Sequence, residues 1–244
     1  RTLPSIVNAL KPGGSICWQV GNHVIDGELL PLDALIVSDL IDEKRLNLRN
    51  RIIWTFGHGA HSKNRLSGRH ETILWYTKGK PYYFNLDPLR IPQKYPGKRA
   101  YKGPRKGQWS GNPKGKNPGD VWDLGDIWSI PNVNSNHVEK TEHPCQFPAA
   151  LVRRLIKALS PPSGYVADPY MGSGTSGISA LLEGRNFIGA EISPDYYRLA
   201  YERVYALKTG ALKVRDDKPS SAPKPGSAVA TTPPHFFKDT PHEQ

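Results

Sequence analysis

The chain has 244 residues, 37% of them hydrophobic, enough to bury the core of one large α/β domain or two small ones. No apolar run reaches the roughly 18 residues of a membrane span, and no signal-peptide pattern opens the chain, so a soluble protein without a membrane partner is expected. Lys and Arg outnumber Asp and Glu 33 to 22, a surplus of +11 that points to a polyanionic partner, while two cysteines, Cys17 and Cys145, make neither a disulfide framework nor a zinc site.

The chain opens on Arg1 and its single methionine is Met171, which suggests an N-terminally truncated piece. A short helix over 3–10 is stopped by Lys11-Pro12-Gly13-Gly14, and a buried strand over 15–20 follows. A second helix covers 32–42. Two β-rich runs, 51–56 and 71–77, form a strand pair across the Gly- and Ser-containing segment 57–69, and Trp18, Trp54 and Trp75 belong to the core. His58, His61 and His70 lack ligand spacing with any cysteine, so no metal is expected.

The surplus charge is concentrated. Residues 88–119 hold nine cations (Arg90, Lys94, Lys98, Arg99, Lys102, Arg105, Lys106, Lys114 and Lys116) and no Asp or Glu. Rich in Gly and Pro, without either hydrophobic period, and carrying Tyr95, Tyr101 and Trp109, this stretch reads as an irregular excursion. It is either a solvated loop or a segment that contacts nucleic acid, since clustered cations with interleaved aromatics suit phosphates and unstacked bases. Trp122 and Trp128, near Asp120, Asp123 and Asp126, are expected to pack it back onto the scaffold.

Beyond the insert, 148–159 forms an amphipathic helix with Leu151, Val152, Leu155, Ile156 and Leu159 on one face and Arg153, Arg154 and Lys157 opposite. Ser160-Pro161-Pro162-Ser163-Gly164 breaks it. A strand over 165–168, a glycine loop over 172–177, a helix over 178–183 and a strand over 187–191 follow. Ser193 as N-cap and Pro194 at the first helical position start a last helix to about 207, with Tyr196, Leu199, Ala200, Val204 and Leu207 at core spacing. This is a βαβα unit of a doubly wound sheet. From 214 on, Pro, Ser, Ala and Thr dominate and a disordered tail is expected.

Gly172 to Gly177 satisfies G-x-G-x-x-G, with Glu191 nineteen residues after Gly172, so a dinucleotide site and a nicotinamide-dependent oxidoreductase must be considered. Asp168, however, ends the strand where a diphosphate would approach, and Pro169-Tyr170-Met171 separates strand from glycines. An acid there favours a cationic ligand such as S-adenosylmethionine, which carries an ammonium and a sulfonium and no phosphate. The glycines allow close approach, and Glu191 can accept hydrogen bonds from two ribose hydroxyls.

Asp168-Pro169-Tyr170-Met171-Gly172-Ser173-Gly174-Thr175 resembles the D-P-F-x-G-S-G-T cofactor motif of the amino-group DNA methyltransferases, which modify adenine N6 or cytosine N4. Three further segments resemble the same family in its order of catalytic half, target recognition and cofactor half. They are Glu142-His143-Pro144-Cys145-Gln146-Phe147-Pro148, Leu10-Lys11-Pro12-Gly13-Gly14-Ser15, and the pair around 49–54 and 69–78. The resemblance covers about 3–207.

The resemblance implies a Rossmann-like α/β methyltransferase fold, with a mostly parallel sheet containing one antiparallel strand and an irregular target-recognition insert. It implies a catalytic-half region over 1–85, a basic recognition segment over 86–131, a cofactor-binding region over 132–213 and a tail over 214–244. S-adenosylmethionine would be held by Asp168, Tyr170, Gly172, Ser173, Gly174, Thr175, Glu191, His143 and Phe147. Duplex DNA would be held by Arg90, Lys94, Lys98, Arg99, Lys102, Arg105 and Lys106. Adenine N6 is preferred over cytosine N4 as the acceptor, in a cytoplasmic restriction-modification setting of prokaryotic or phage origin, with a cognate endonuclease as a candidate partner. The family's catalytic tetrad, Asp, Asn or Ser followed by Pro-Pro and an aromatic, is absent from the sequence and is expected upstream of Arg1, which leaves an inactive DNA-binding fragment as an alternative. Ser160-Pro161-Pro162-Ser163 imitates the tetrad without its aromatic and falls at a connecting turn.

Overall fold

A computed structural model describes residues 2–40, 44–57, 59, 61–92, 99–108, 110–122, 130–133 and 137–215. Helix α1 (Leu3–Ala9) leads through Lys11-Pro12-Gly13-Gly14 into strand β1 (Ser15–Val20). A hairpin not anticipated from the sequence follows: β2 (His23–Ile25) and β3 (Glu28–Leu30) are joined at Asp26-Gly27, both with positive φ (50° and 86°), as a two-residue hairpin turn requires. Helix α2 spans Leu32–Leu40; the last two residues of the expected helix lie outside the described residues. Strand β4 (Leu46–Thr55) starts five residues before the expected run and carries an irregularity between Leu48 and Asn50, and β5 (His70–Lys78) returns beside it. Short strand β6 (Val121–Trp122) follows the insert. Then come α3 (Ala149–Leu159), β7 (Tyr165–Asp168), α4 (Thr175–Leu182), β8 (Asn186–Gly189) and α5 (Pro194–Lys208).

The main sheet has strand order β1-β5-β4-β6. β5 is antiparallel to both β1 and β4, and β6 is parallel to β4, so three strands point one way and β5 is the single reversed one, as expected. β7 and β8 pair in parallel across α4, as the βαβ unit requires, and among the described residues they form a two-stranded sheet of their own.

Both faces of the main sheet are covered. Ile52, Trp54, Ile73 and Trp75 pack with Trp122, Ala150 and Leu151 on one side. Leu46, Leu74 and Tyr76 pack with Val7 and Leu40 on the other, joined by half-buried Trp18. β5, sandwiched between the two clusters, is buried from Thr72 through Thr77, which explains its nearly uninterrupted apolar run. Trp54 and Trp75 are core as expected, and Trp122, expected to pack the insert onto the scaffold, is buried in the same cluster; Trp128 lies outside the described residues.

Helix α3 departs from its expected polar face. Arg154 is only 4% exposed, its guanidinium stacked over the Trp122 ring at 5.2 Å, because the returning end of the insert covers that flank of the helix. Arg153 and Lys157 instead pair with Glu183 at 2.6 and 3.5 Å. Ser160-Pro161-Pro162-Ser163 is the turn between α3 and β7, closed by Gly164 N–H donating to Pro161 O at 3.0 Å. Among the described residues no helix is long and apolar enough to cross a membrane.

Candidate functional site

The glycine loop begins where β7 ends. Asp168 organises the turn: one carboxylate oxygen accepts from Tyr170 N–H at 3.0 Å and the other from the Ser176 hydroxyl at 2.5 Å. Glu191, two residues past β8, closes the loop from the opposite strand, with Oε2 accepting from Gly172 N–H at 2.8 Å and Oε1 from Ser193 N–H at 2.9 Å. The Ser193 N–H is the main influence holding the Glu191 carboxyl below its ordinary range; desolvation opposes it, and the N–H groups of Gly172 and Ile192 reinforce it. The three N–H groups occupy three of the carboxylate's roughly four acceptor sites.

Gly172 sits at φ +49°, and a Cβ there would lie 2.7 Å from His143 Nε2, so only glycine fits beneath the imidazole. His143 stacks edge-on against Tyr196 at 4.6 Å. Desolvation pushes its imidazole below the usual histidine range, with the nearby Glu191 charge opposing. His143 and Glu191 thus both approach Gly172, one over its Cα and the other at its N–H. Phe147 is half-buried beside this segment, and Tyr170 is 58% exposed with its hydroxyl bonded to Thr2 Oγ1.

The Ser173 and Thr175 hydroxyls do not face the surface of the loop. Ser173 and Thr175 are 4% and 1% exposed; their hydroxyls lie 3.2 Å apart and turn inward, because Arg203 reaches under the loop to bond Ser173 O at 2.5 Å and Thr175 Oγ1 at 3.2 Å. Burial lowers the Arg203 guanidinium's pKa and the charge of Glu139 counters it. The glycine stretch is also shorter than expected: α4 starts at Thr175, and Gly177 lies inside it because the Phe187 ring packs where a Cβ would be.

Sequence reasoning missed three residues. Arg203 and Glu139 are buried, and Glu139 Oε2 accepts from Ala149 N–H at the start of α3 at 2.9 Å. Ile192, next to Glu191, is 98% exposed. An apolar residue directly after a strand-end acid was the available signal for the last; the buried pair left none.

Tyr170, Met171, Gly172 and Gly174 N–H donate to Asp168, Ala190 O, Glu191 and Met171 O. A diphosphate would meet the two carboxylates of Asp168 and Glu191 here, so the charge disfavours a dinucleotide and suits a phosphate-free, cationic adenosine ligand.

In the insert, Tyr101 is 89% exposed, and Lys102, Arg105 and Lys106 are exposed. Arg99 is exposed and donates to Gly107 O at 2.7 Å. Lys94 and Lys98 lie outside the described residues. Arg90 is only 15% exposed in its side chain and donates to Asp87 at 2.8 Å and to Gly115 O at 2.9 Å, bracing the base of the insert. Asp87, one residue before the cationic stretch, also pairs with Lys114 at 2.5 Å.

Residues 2–202 match the N6/N4 methyltransferase family described as DNA methylase. The chain is 46% identical over 194 residues to the type II methyltransferase M.BglII of Bacillus subtilis, covering 79% of this chain and 52% of that protein, so it spans about half the relative's length. Among solved structures, the PvuII DNA methyltransferase (cytosine-N4-specific) superposes with a TM-score of 0.62 at 21% identity, covering 82% of this chain and 67% of that one. A DNA modification methylase of Thermus thermophilus, complexed with S-adenosyl-L-methionine, superposes with a TM-score of 0.53 at 25% identity, covering 86% of this chain and 77% of that one.

Proposed function

We propose that this chain, which belongs to the N6/N4 DNA methylase family, binds S-adenosylmethionine at the loop between β7 and α4 and serves methylation of an exocyclic amine in duplex DNA. The observation that carries the reading is the Glu191 carboxylate clamped to Gly172 N–H across the glycine loop, with the Asp168 carboxylate at the loop's start. When bound, S-adenosylmethionine supplies an electrophilic methyl group on sulfonium. The chain's residues have separate tasks. Glu191 accepts ribose hydroxyls, exposed Ile192 offers an apolar face to the adenine, and Asp168 keeps negative charge near the ligand's cationic end. His143 and Tyr196 wall the loop. Lys102, Arg105 and Lys106 supply phosphate contacts to DNA.

The acceptor is adenine N6 or cytosine N4, and adenine N6 is the finer reading placed first. Incubating the chain with duplex DNA and isotope-labelled S-adenosylmethionine, then analysing digested nucleosides by mass spectrometry, tests both levels. Label in N6-methyladenine supports the finer reading, and label in N4-methylcytosine replaces it while keeping the coarser one. Calorimetric titration with S-adenosylmethionine and NAD tests the cofactor assignment: binding of NAD alone overturns it.

A further inference from the structure

The turn that joins β4 to β5 holds a second cluster of cations, separate from the insert. From 56 to 70 the sequence contains Lys63, Arg65 and Arg69 and no Asp or Glu. The loop is longer than a strand reversal needs, yet it is built: Phe56 N–H donates to Arg69 O at 2.9 Å across its stem, and Ser62 N–H to Ser67 Oγ at 3.1 Å across its neck. Arg69 is turned back into the stem, with Nη1 donating to Gly68 O at 2.9 Å. Lys63 and Arg65 are exposed at the tip, and between Arg65 and Ser67 stands Leu66, 94% exposed.

From this we infer that the tip of segment 61–69 is a second DNA-binding element, in which Lys63 and Arg65 neutralise backbone phosphates and Leu66 packs against the apolar surface of the groove between them. The inference rests on the reading of the chain as a DNA methylase. Cations alone would only hold the polyanion; an apolar residue flanked by them matches the way architectural proteins place an aliphatic side chain against base steps, and a base brought to a methyl donor must leave its stack.

The test compares the unmodified chain with Lys63→Ala/Arg65→Ala and Leu66→Ser, by fluorescence anisotropy on a labelled duplex across a KCl series, with S-adenosylmethionine titrations alongside. The double variant is expected to lower the log-log salt slope by about 1.8, or about 0.9 for each lost phosphate contact. Leu66→Ser is expected to weaken binding several-fold at unchanged slope. All three proteins are expected to bind S-adenosylmethionine equally. An unchanged slope in the double variant, or unchanged affinity in Leu66→Ser, overturns the inference while leaving the proposed function intact. Loss of S-adenosylmethionine binding in the double variant also overturns it, by assigning the loop to the cofactor pocket. Failure of the unmodified chain to bind any duplex overturns the DNA-methylase reading itself.

Discussion

Arg203 Nη1 meets the carbonyl of Ser173 at 2.5 Å in a site only 7% exposed, so α5 grips the glycine loop from beneath with a buried cation. The loop's shape is thereby fixed by a residue thirty positions away in sequence. Replacing Arg203 with Met removes that donor, leaving the buried Ser173 carbonyl and Thr175 hydroxyl without their charged partner. With charge-assisted hydrogen bonds worth about 1.5–3 kcal/mol each, a loss of about 3–5 kcal/mol in unfolding free energy is expected, measured by urea denaturation. A loss under about 1 kcal/mol would show that the loop stands without the guanidinium.

In the proposed function Glu191 anchors the ligand side. Glu191→Ala removes charged hydrogen bonds, each about 1.5–3 kcal/mol, so S-adenosylmethionine affinity should fall about 10- to 100-fold in calorimetric titration. Unaltered affinity would separate the carboxylate from the cofactor.

The same carboxylate makes stability depend on acid. Its folded pKa is depressed below the ordinary 4.5, so its contribution is complete above that value and is lost as pH falls through the lower folded one. Urea midpoints of the unmodified chain and Glu191→Gln should differ by a constant amount above pH 4.5 and converge at lower pH. Convergence at higher pH instead would mean that the carboxyl is not held low.

Gly172→Ala and Gly184→Ala separate backbone strain from crowding. Both glycines have positive φ, but nothing lies within 4 Å of a Cβ at Gly184, whereas one at Gly172 meets His143. Gly184→Ala should cost about 1–2 kcal/mol, and Gly172→Ala more. Adding His143→Ala to Gly172→Ala should recover the difference; a cycle with no coupling would sink the account.

Within the insert, neutralising Lys102, Arg105 and Lys106 should lower the DNA-binding salt slope by about 0.9 per contact, with the thermal midpoint unchanged. Arg90→Ala should do the reverse, lowering the midpoint and leaving the slope alone, since its guanidinium is engaged by Asp87 and Gly115.

The sequence exposed what is local. Asp168, Gly172 and Glu191 announced themselves because a strand end, a turn and the next strand end follow one another closely, and Ser193 as N-cap accepts from Tyr196 N–H where its residue type required. What stayed hidden is what depends on distant partners. Arg154 is buried against Trp122, Arg203 against Ser173, and Arg90 against Gly115, although each side chain belongs to a class whose default is solvent. The inward turn of the Ser173 and Thr175 hydroxyls follows from Arg203, so a motif that names them could not say which way they face. Hairpin β2–β3 was overlooked because its strands are three residues each and lack a period long enough to read.

The engagement of Tyr170, Met171, Gly172 and Gly174 N–H by acceptors within the fold has a bearing on competition inside a cell. Adenosine is common to ATP, NAD and S-adenosylmethionine, so Glu191 and Ile192 alone offer no means of telling them apart. In the proposed site, rejection falls to the other end, where a polyphosphate would meet the carboxylate of Asp168. Compounds that keep the adenosine and replace the phosphates with a positively charged tail should therefore be the effective competitors, and abundant nucleotides poor ones.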